Sequence, residues 1–135
     1  MQTLLTNEVP LKAEEDIVRV RQVARSAAME AGLSLVDQTK LVTAASELAR
    51  NTMIYGGGGM ARLEVVQANG RRGVRIEFED HGPGISDIDL ALKDGYTTGN
   101  GLGLGLSGAR RLCNEFEIRS EPGKGTRVVI TRWKA

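Results

Sequence analysis

The stretch Gly99-Asn100-Gly101-Leu102-Gly103-Leu104-Gly105 limits what this chain can fold into more tightly than any other. Glycine this dense, laced with leucine, is neither a tail nor a linker. It predicts a loop whose backbone comes close to something, since residues without Cβ allow close approach. Nineteen positions before it stands a second cluster, Asp80-His81-Gly82-Pro83-Gly84, led by a carboxylate. Further back, Glu47 and Asn51 stand one helical turn apart. Three such elements in this order point to a nucleotide site.

With 135 residues the chain is expected to form one domain, residues 1–135, with a core large enough to fold alone. Its 18 basic and 17 acidic side chains nearly balance, so no general nucleic-acid surface is indicated. A single thiol, Cys113, cannot form an internal disulfide, and one Cys with one His is too little for a zinc cage. The segment Gln2 to Asp16 lacks the basic start and apolar stretch of a signal peptide. No apolar run approaches the roughly 20 residues of a membrane span. The expectation is a cytoplasmic protein with no membrane partner.

Periodicity divides the chain further. Gln2 to Val9 reads as an edge strand, which Pro10 ends because it has no amide hydrogen to give. Ala13, Ile17, Val20, Ala24 and Ala27 recur at helical steps and predict a helix from Lys12 to Ala31, ended by Gly32. Ser34 caps a second helix, with Asp37 as a capping-box-like acid. That helix runs to about Tyr55 with Leu41, Ala44, Ala45, Leu48 and Thr52 on one side, and Gly56 to Gly59 break it. Strands are expected at Arg62 to Gln67 and Arg75 to Glu79, joined by an Asn69-Gly70 turn. A short helix at Ile88 to Leu92 precedes the glycine-rich loop, and a further helix runs from Leu104 to Leu112. Phe116 to Ser120 and Thr126 to Trp133 form a final hairpin. This order gives an α+β fold, a two-layer α/β sandwich with a mostly antiparallel sheet and helices on one face.

Each cluster has a chemistry and an ordinary reading. Glu47 and Asn51 share a helix face, among neighbours that would shelter part of it. A carboxylate and a carboxamide together suit Mg²⁺ and its waters, or are simply a polar pair on a helix surface. Asp80 can accept a hydrogen bond from an exocyclic amine such as that of adenine, while Gly82 and Gly84 let the backbone pass under a flat ring. The same residues make a good turn. The loop Gly99 to Gly105 offers backbone amides to phosphates, with the positive end of the next helix behind it. The bare G-x-G-x-x-G spacing of Gly103, Gly105 and Gly108 is accidental, because no opening βαβ unit surrounds it.

Taken together, these segments resemble the GHKL ATPase superfamily, which includes gyrase B, MutL and the catalytic domains of histidine kinases. Glu47-Leu48-Ala49-Arg50-Asn51 is similar to its N box and Asp80-His81-Gly82-Pro83-Gly84 to its first glycine box. Gly101-Leu102-Gly103-Leu104 is similar to its second, and Gly123-Lys124-Gly125-Thr126 to a later Gly-x-Gly-Thr element. Among small members the chain looks most like the RsbT-type serine/threonine kinases. Ala45 to Asn51, Glu79 to Ile85 and Asp94-Gly95-Tyr96-Thr97-Thr98 carry that likeness. Anti-sigma kinases of the RsbW and SpoIIAB kind share the fold, but their N box reads closer to Ser-Glu-Ala-Val-Thr-Asn. The chain departs from the pattern mainly in its Gly56–Gly59 run and in Asn100.

The resemblance implies a GHKL (Bergerat) fold, ATP and Mg²⁺. It implies that Asn51 holds the metal, with Glu47 beside it as general base for a serine or threonine hydroxyl. Asp80 would read the adenine amine with support from Thr126. Gly82 and Gly84 would admit the ring. Gly101, Leu102, Gly103, Leu104 and Gly105 would wrap the phosphates, and Thr97, Thr98 and Asn100 would sit in a lid that excludes water on closing. It further implies a kinase of bacterial partner-switching stress signalling. Such a kinase phosphorylates STAS-domain antagonist or scaffold proteins and, once released, activates a PP2C-type phosphatase. Two alternatives stand beside it: an anti-sigma kinase that sequesters a sigma factor, and a non-catalytic adaptor shaped by ATP. His81 reads as a loop residue beside the nucleotide, Cys113 as core on an apolar helix, and Trp133 as a strand residue packing the sheet. Arg50 faces away from Glu47. Arg110 and Arg111 approach phosphates or end a solvated helix. Arg19, Arg21 and Arg25 form a basic surface, either solvated or a docking patch for an acidic protein.

Overall fold

The computed structural model describes residues 1–85, 87–92 and 102–135, and for residues 102–105 only the backbone. Five strands form one antiparallel sheet in the order β1-β2-β3-β5-β4. They are β1 (Gln2–Leu11), β2 (Gly59–Ala68), β3 (Arg71–Asp80), β4 (Glu115–Ser120) and β5 (Thr126–Trp133). Helices α1 (Glu15–Glu30) and α2 (Leu35–Ile54) lie between β1 and β2 in the chain, and α3 (Ile88–Ala91) and α4 (Leu102–Arg111) between β3 and β4. The two-layer α+β arrangement read from the periodicity is the one observed.

Alternation along the strands sends one set of side chains to the helices. Leu63 and Val65 of β2, Val74, Ile76 and Phe78 of β3 and Ile130 of β5 are fully buried there. Facing them, α1 contributes Val20 and Ala24, and α2 contributes Leu41, Ala44, Ala45 and Leu48. The alanines keep the helix surfaces thin, so both helices lie close to the sheet. The other face of the sheet carries alternating charge. Arg75 meets Glu64 at 2.9 Å, and Glu77 lies 2.9 Å from Arg127 and 3.9 Å from Arg62. The hydrogen bond from Arg127 holds the Glu77 carboxyl below the usual carboxylate range.

Turn chemistry holds where the sequence shows it. Asn69 and Gly70 have φ of 54° and 75°, the pair of left-handed residues that a tight hairpin between right-twisted strands demands. Ser34 Oγ accepts the Asp37 N–H at 3.1 Å and caps α2. The carboxylate of Asp37 has another use: it takes a 2.7 Å hydrogen bond from Arg132 on β5, whose guanidinium also donates to the Leu112 carbonyl at 2.9 Å. Both side chains are largely shielded from solvent, at 15% and 14% exposure for Arg132 and Asp37. Losing one partner would strand the other charge. Asp37→Ala is therefore expected to cost about 2–3 kcal/mol of unfolding free energy, read as a lowered urea midpoint at unchanged m-value.

Several boundaries differ from the sequence reading. β1 does not stop at Pro10 but runs to Leu11, with Pro10 opposite Met60. β1 is an edge strand, where a missing N–H costs no ladder bond if it faces outward. α1 begins at Glu15 rather than Lys12 because Asp16 Oδ2 accepts the N–H groups of Lys12 and Ala13, at 2.9 and 3.0 Å. Those bonds also hold the Asp16 carboxyl below its ordinary pKa. α4 begins at Leu102, not Leu104, so Gly103 and Gly105 belong to its first turns rather than to a loop. Cys113 lies beyond the end of α4, partly buried against the core rather than on the helix, and burial pushes its thiol up to about 12. Trp133 is buried at the sheet end, its indole N–H bonded to Glu115 and the Arg71 guanidinium 5.3 Å from the ring centroid.

Candidate nucleotide site

The site lies where α2, the ends of β3 and β5 and the start of α4 converge. α2 presents Leu48, Asn51, Thr52 and Tyr55 at steps of three and four, so they share one stripe. Leu48 and Thr52 are buried, and Thr52 turns its hydroxyl back to the Leu48 carbonyl at 3.0 Å. β3 ends on Asp80, which stands opposite Thr126 at the start of β5. Between the stripe and these strand ends is a cavity of about 120 Å³. Its walls are largely apolar, with Phe78, Ile85, Leu106 and Val128 alongside Leu48. Its polar groups are few: Asn51, Thr52, Tyr55, Asp80 and Thr126. A flat, mostly apolar ligand with a polar edge suits such a space.

Asp80 is the charged group of that wall. Its Oδ1 accepts the Gly82 N–H at 2.9 Å. Burial pushes its carboxyl above the ordinary value, while backbone N–H groups of Gly82 and Thr126 pull the other way. The Thr126 hydroxyl lies 2.7 Å from Ser120 Oγ, so the threonine reaches Asp80 through its backbone. Ser120 also accepts the Ile85 N–H at 2.7 Å and so ties the loop after β3 to the β4–β5 hairpin.

Glycine permits the packing around Asp80. A Cβ on Gly56 would lie 2.3 Å from Asp80 Cγ, and one on Gly82 would lie 2.7 Å from the Gly56 Cα. Gly84 has φ +76°, and a Cβ there would meet the Glu121 carbonyl oxygen at 2.0 Å. The Gly56–Gly59 run, a departure from the motif pattern in sequence, thus begins with a residue that the Asp80 side chain requires to be glycine.

Two polar atoms in this region lack partners among the described residues. The Asn51 Nδ2 and the Tyr55 hydroxyl are buried without a hydrogen bond. Buried polar atoms are seldom left so, and both residues line the cavity. Both can donate, so the oxygens of a nucleotide would satisfy them, while a metal would take the Asn51 Oδ1 instead. With Glu47 a turn away, the carboxamide and carboxylate offer the oxygen donors that Mg²⁺ takes alongside phosphates and water. Among the described residues no group of three or more His, Cys, Asp or Glu side chains could hold a metal ion.

The structure brings together Asn51, Asp80, Gly84 and Thr126, with Gly82 against Asp80. Glu47 stands apart from the cavity: it is exposed and lines a neighbouring hollow with Arg21, Val42, Thr43 and Ser46. The expected shelter reaches Asn51 but not Glu47. Thr97, Thr98, Asn100 and Gly101 lie outside the described residues, and Leu102 to Gly105 open α4. His81 is exposed, 4.0 Å from Glu79. Arg110 donates to the Leu92 carbonyl at 3.4 Å. The sequence reading assigned no role to Tyr55, Gly56 or Ser120. Tyr55 caps the end of α2 four residues after Asn51, and that spacing was the one available signal.

A five-stranded antiparallel sheet backed by two long helices, with an acid-edged cavity at one end, defines the class of ATP-binding sandwich. The chain belongs to the Histidine kinase-, DNA gyrase B-, and HSP90-like ATPase family, whose model matches residues 36–135. It is 45% identical to Serine/threonine-protein kinase RsbT of Bacillus subtilis (strain 168) over 125 residues, covering 93% of this chain and 94% of that one. It is 30% identical to an Anti-sigma F factor of Thermoanaerobacter sp. (strain X514), over 84% of this chain and 82% of the other. Among solved structures, the RsbU and RsbW domains of a Mycobacterium tuberculosis protein share the fold at a TM-score of 0.65 and 20% identity. That match covers 98% of this chain but only 34% of the other, so the chain spans about a third of that protein's solved length. The SiaB–SiaC complex from Pseudomonas aeruginosa matches at 0.55 and 14% identity, over 98% and 91% of the two chains. Among the described residues no helix is long and apolar enough to cross a membrane.

Proposed function

We propose that this chain is an ATP-dependent serine/threonine protein kinase of partner-switching signalling, acting on STAS-domain proteins and, once released from them, activating a PP2C-type phosphatase. The observation that carries the reading is the cavity in which a buried carboxylate, Asp80, faces a stripe of α2 whose Asn51 Nδ2 and Tyr55 hydroxyl have no partner among the described residues. The 45% identity to a serine/threonine-protein kinase supports the chemistry.

In this reading Asp80 accepts the adenine amine, while Phe78, Ile85 and Val128 enclose the ring. The backbone N–H groups of Gly82 and Thr126 hold the carboxylate in place and oppose the upward push of burial on its pKa. Asn51 and Glu47 would hold Mg²⁺, which supplies charge neutralisation on the phosphates. Glu47 takes the proton of the attacking hydroxyl as the new oxygen–phosphorus bond forms and ADP departs with the bridging oxygen. Leu102 to Gly105, the first turn of α4, would turn backbone N–H groups and the positive helix end toward the phosphates, with Gly101 assigned to the same role by the resemblance. The resemblance assigns Thr97 and Thr98, which lie outside the described residues, to a lid over the phosphates. Because Glu47 is exposed, the docked protein substrate completes its shelter.

The reading is tested by incubating the chain with Mg·ATP and a STAS-domain protein encoded in the same genome. A serine- or threonine-bound phosphate on that protein, found by mass spectrometry, is the expected result. Its absence with every such protein would overturn the assignment. The anti-sigma relatives favour a second reading, sequestration of a sigma factor. Affinity purification from the source cell separates the two, by recovering STAS proteins and a phosphatase or a sigma factor.

A further inference from the structure

Ser120 ends β4 and stands opposite Thr126 in the β4–β5 register. Its hydroxyl has three neighbours at hydrogen-bond distance. The Ile85 N–H lies at 2.7 Å, the Gly125 carbonyl oxygen at 3.1 Å and Thr126 Oγ1 at 2.7 Å. A serine hydroxyl has one proton to give and two lone pairs that receive. The amide can only donate, and the carbonyl can only accept. The Ser120 proton therefore goes to Gly125, and one lone pair takes the Ile85 amide. The second lone pair is left for Thr126, which must be the donor in that contact. All three bonds form only with this assignment.

The cavity feels the result. Thr126 lines it, yet its one hydroxyl proton is turned away to Ser120. Toward a ligand its side chain offers lone pairs alone. Asp80, its cross-strand partner, offers carboxylate oxygens, one of which already accepts the Gly82 N–H. The strand-end edge of the cavity thus sets two acceptors side by side. The donors without partners, Asn51 Nδ2 and the Tyr55 hydroxyl, belong to the α2 stripe instead.

We propose that Ser120 is a positioning residue that sets base selectivity: it takes the Thr126 proton, fixes Thr126 as a second acceptor beside Asp80, and so makes this edge select a base with an exocyclic amine over one with a carbonyl there. The inference rests on the nucleotide reading above. An amine carries two protons, one for each acceptor. A carbonyl oxygen would set its own lone pairs against both, with no proton between them. Without Ser120, the Thr126 hydroxyl would be free to turn and donate to that carbonyl. Ser120 acts on the ligand only through Thr126.

The test is calorimetric titration of the full chain with Mg·ADP and with Mg·IDP, in which a carbonyl oxygen replaces the amine. The wild type is expected to bind IDP about 100-fold or more weakly than ADP. Ser120→Ala should narrow that gap about tenfold, although ADP itself binds somewhat less well once the Ile85 and Gly125 bonds are lost. Thr126→Val should narrow the gap too, and adding Ser120→Ala to it should change the gap no further, as for residues that act through one group. A merely structural serine would weaken both nucleotides by the same factor. That result, or a wider gap, overturns the proposal. If Ser120→Ala does not fold, Thr126→Val decides alone, and an unchanged gap overturns it. Equal binding of ADP and IDP by the wild type also overturns it while leaving the nucleotide site standing. A wild type that takes up no Mg·ADP sinks the nucleotide reading itself.

Discussion

Glu47→Gln is expected to lower the rate of phosphoryl transfer by about 10²–10⁴-fold, the usual contribution of a positioned general base. Glutamine keeps the size of the side chain and one oxygen but cannot accept the hydroxyl proton. Glu47 lies outside the cavity lined by Asp80 and Thr126, so nucleotide affinity should change much less than kcat. Exposure also leaves Glu47 free of the burial that makes core substitutions unfold a protein. The melting temperature without nucleotide should therefore hardly move. Single-turnover transfer to the STAS protein, with calorimetric titration of Mg·ADP alongside, separates the two effects. Transfer at the wild-type rate would remove Glu47 as the base.

Asp80→Asn acts on the other half of the site. The carboxylate would hold the adenine amine through a charge-assisted hydrogen bond in a largely apolar cavity. Asparagine offers that amine a weaker acceptor or, turned over, a second donor. The expected loss is about 100-fold in Mg·ADP affinity, or roughly 2.7 kcal/mol. Stability should move the other way. Burial raises the folded-state pKa of Asp80 above its unfolded value. The stability linked to this group is therefore fully present below the unfolded pKa and lost as pH rises through the folded one. At neutral pH the ionised wild type carries that cost, and the asparagine variant does not. Without nucleotide the variant should melt at or above the wild type at pH 7, with the gap closing below about pH 4. It should also gain a much smaller thermal shift than the wild type at the same Mg·ADP concentration. A variant that melts lower yet binds ADP normally would move the adenine contact away from Asp80.

Most of the secondary structure could be read along the chain because its causes are local. The alanine and leucine spacing of α2, the Ser34 cap and the Asn69-Gly70 turn each act within a few residues, and each stands where the sequence puts it. The misplaced boundaries have longer-range causes. Pro10 is tolerated because β1 ends up at the sheet edge, which only strand order decides. The start of α1 moved because Asp16 reaches back to Lys12 and Ala13. Asp37 looked like part of a cap, yet its carboxylate serves Arg132, 95 residues away.

The site divides in the same way. Asn51, Asp80 and Thr126 were legible because each sits in a short motif whose residue types suit a nucleotide, and folding places them around one cavity. Tyr55, Gly56 and Ser120 were not, because their roles are contacts between segments. Gly56 has to be glycine only because Asp80 lies against it, and Ser120 matters only because Ile85 and Thr126 come within reach. The sequence by itself determined the element order, the helix faces and the residues whose chemistry suits a nucleotide, since these follow from periodicity and side-chain chemistry. Tertiary structure alone decided that Glu47 lies outside the nucleotide cavity and opens onto the α1–α2 seam. The way two helices pack across a sheet sets which flank of a helix stays open, and no local spacing encodes that packing.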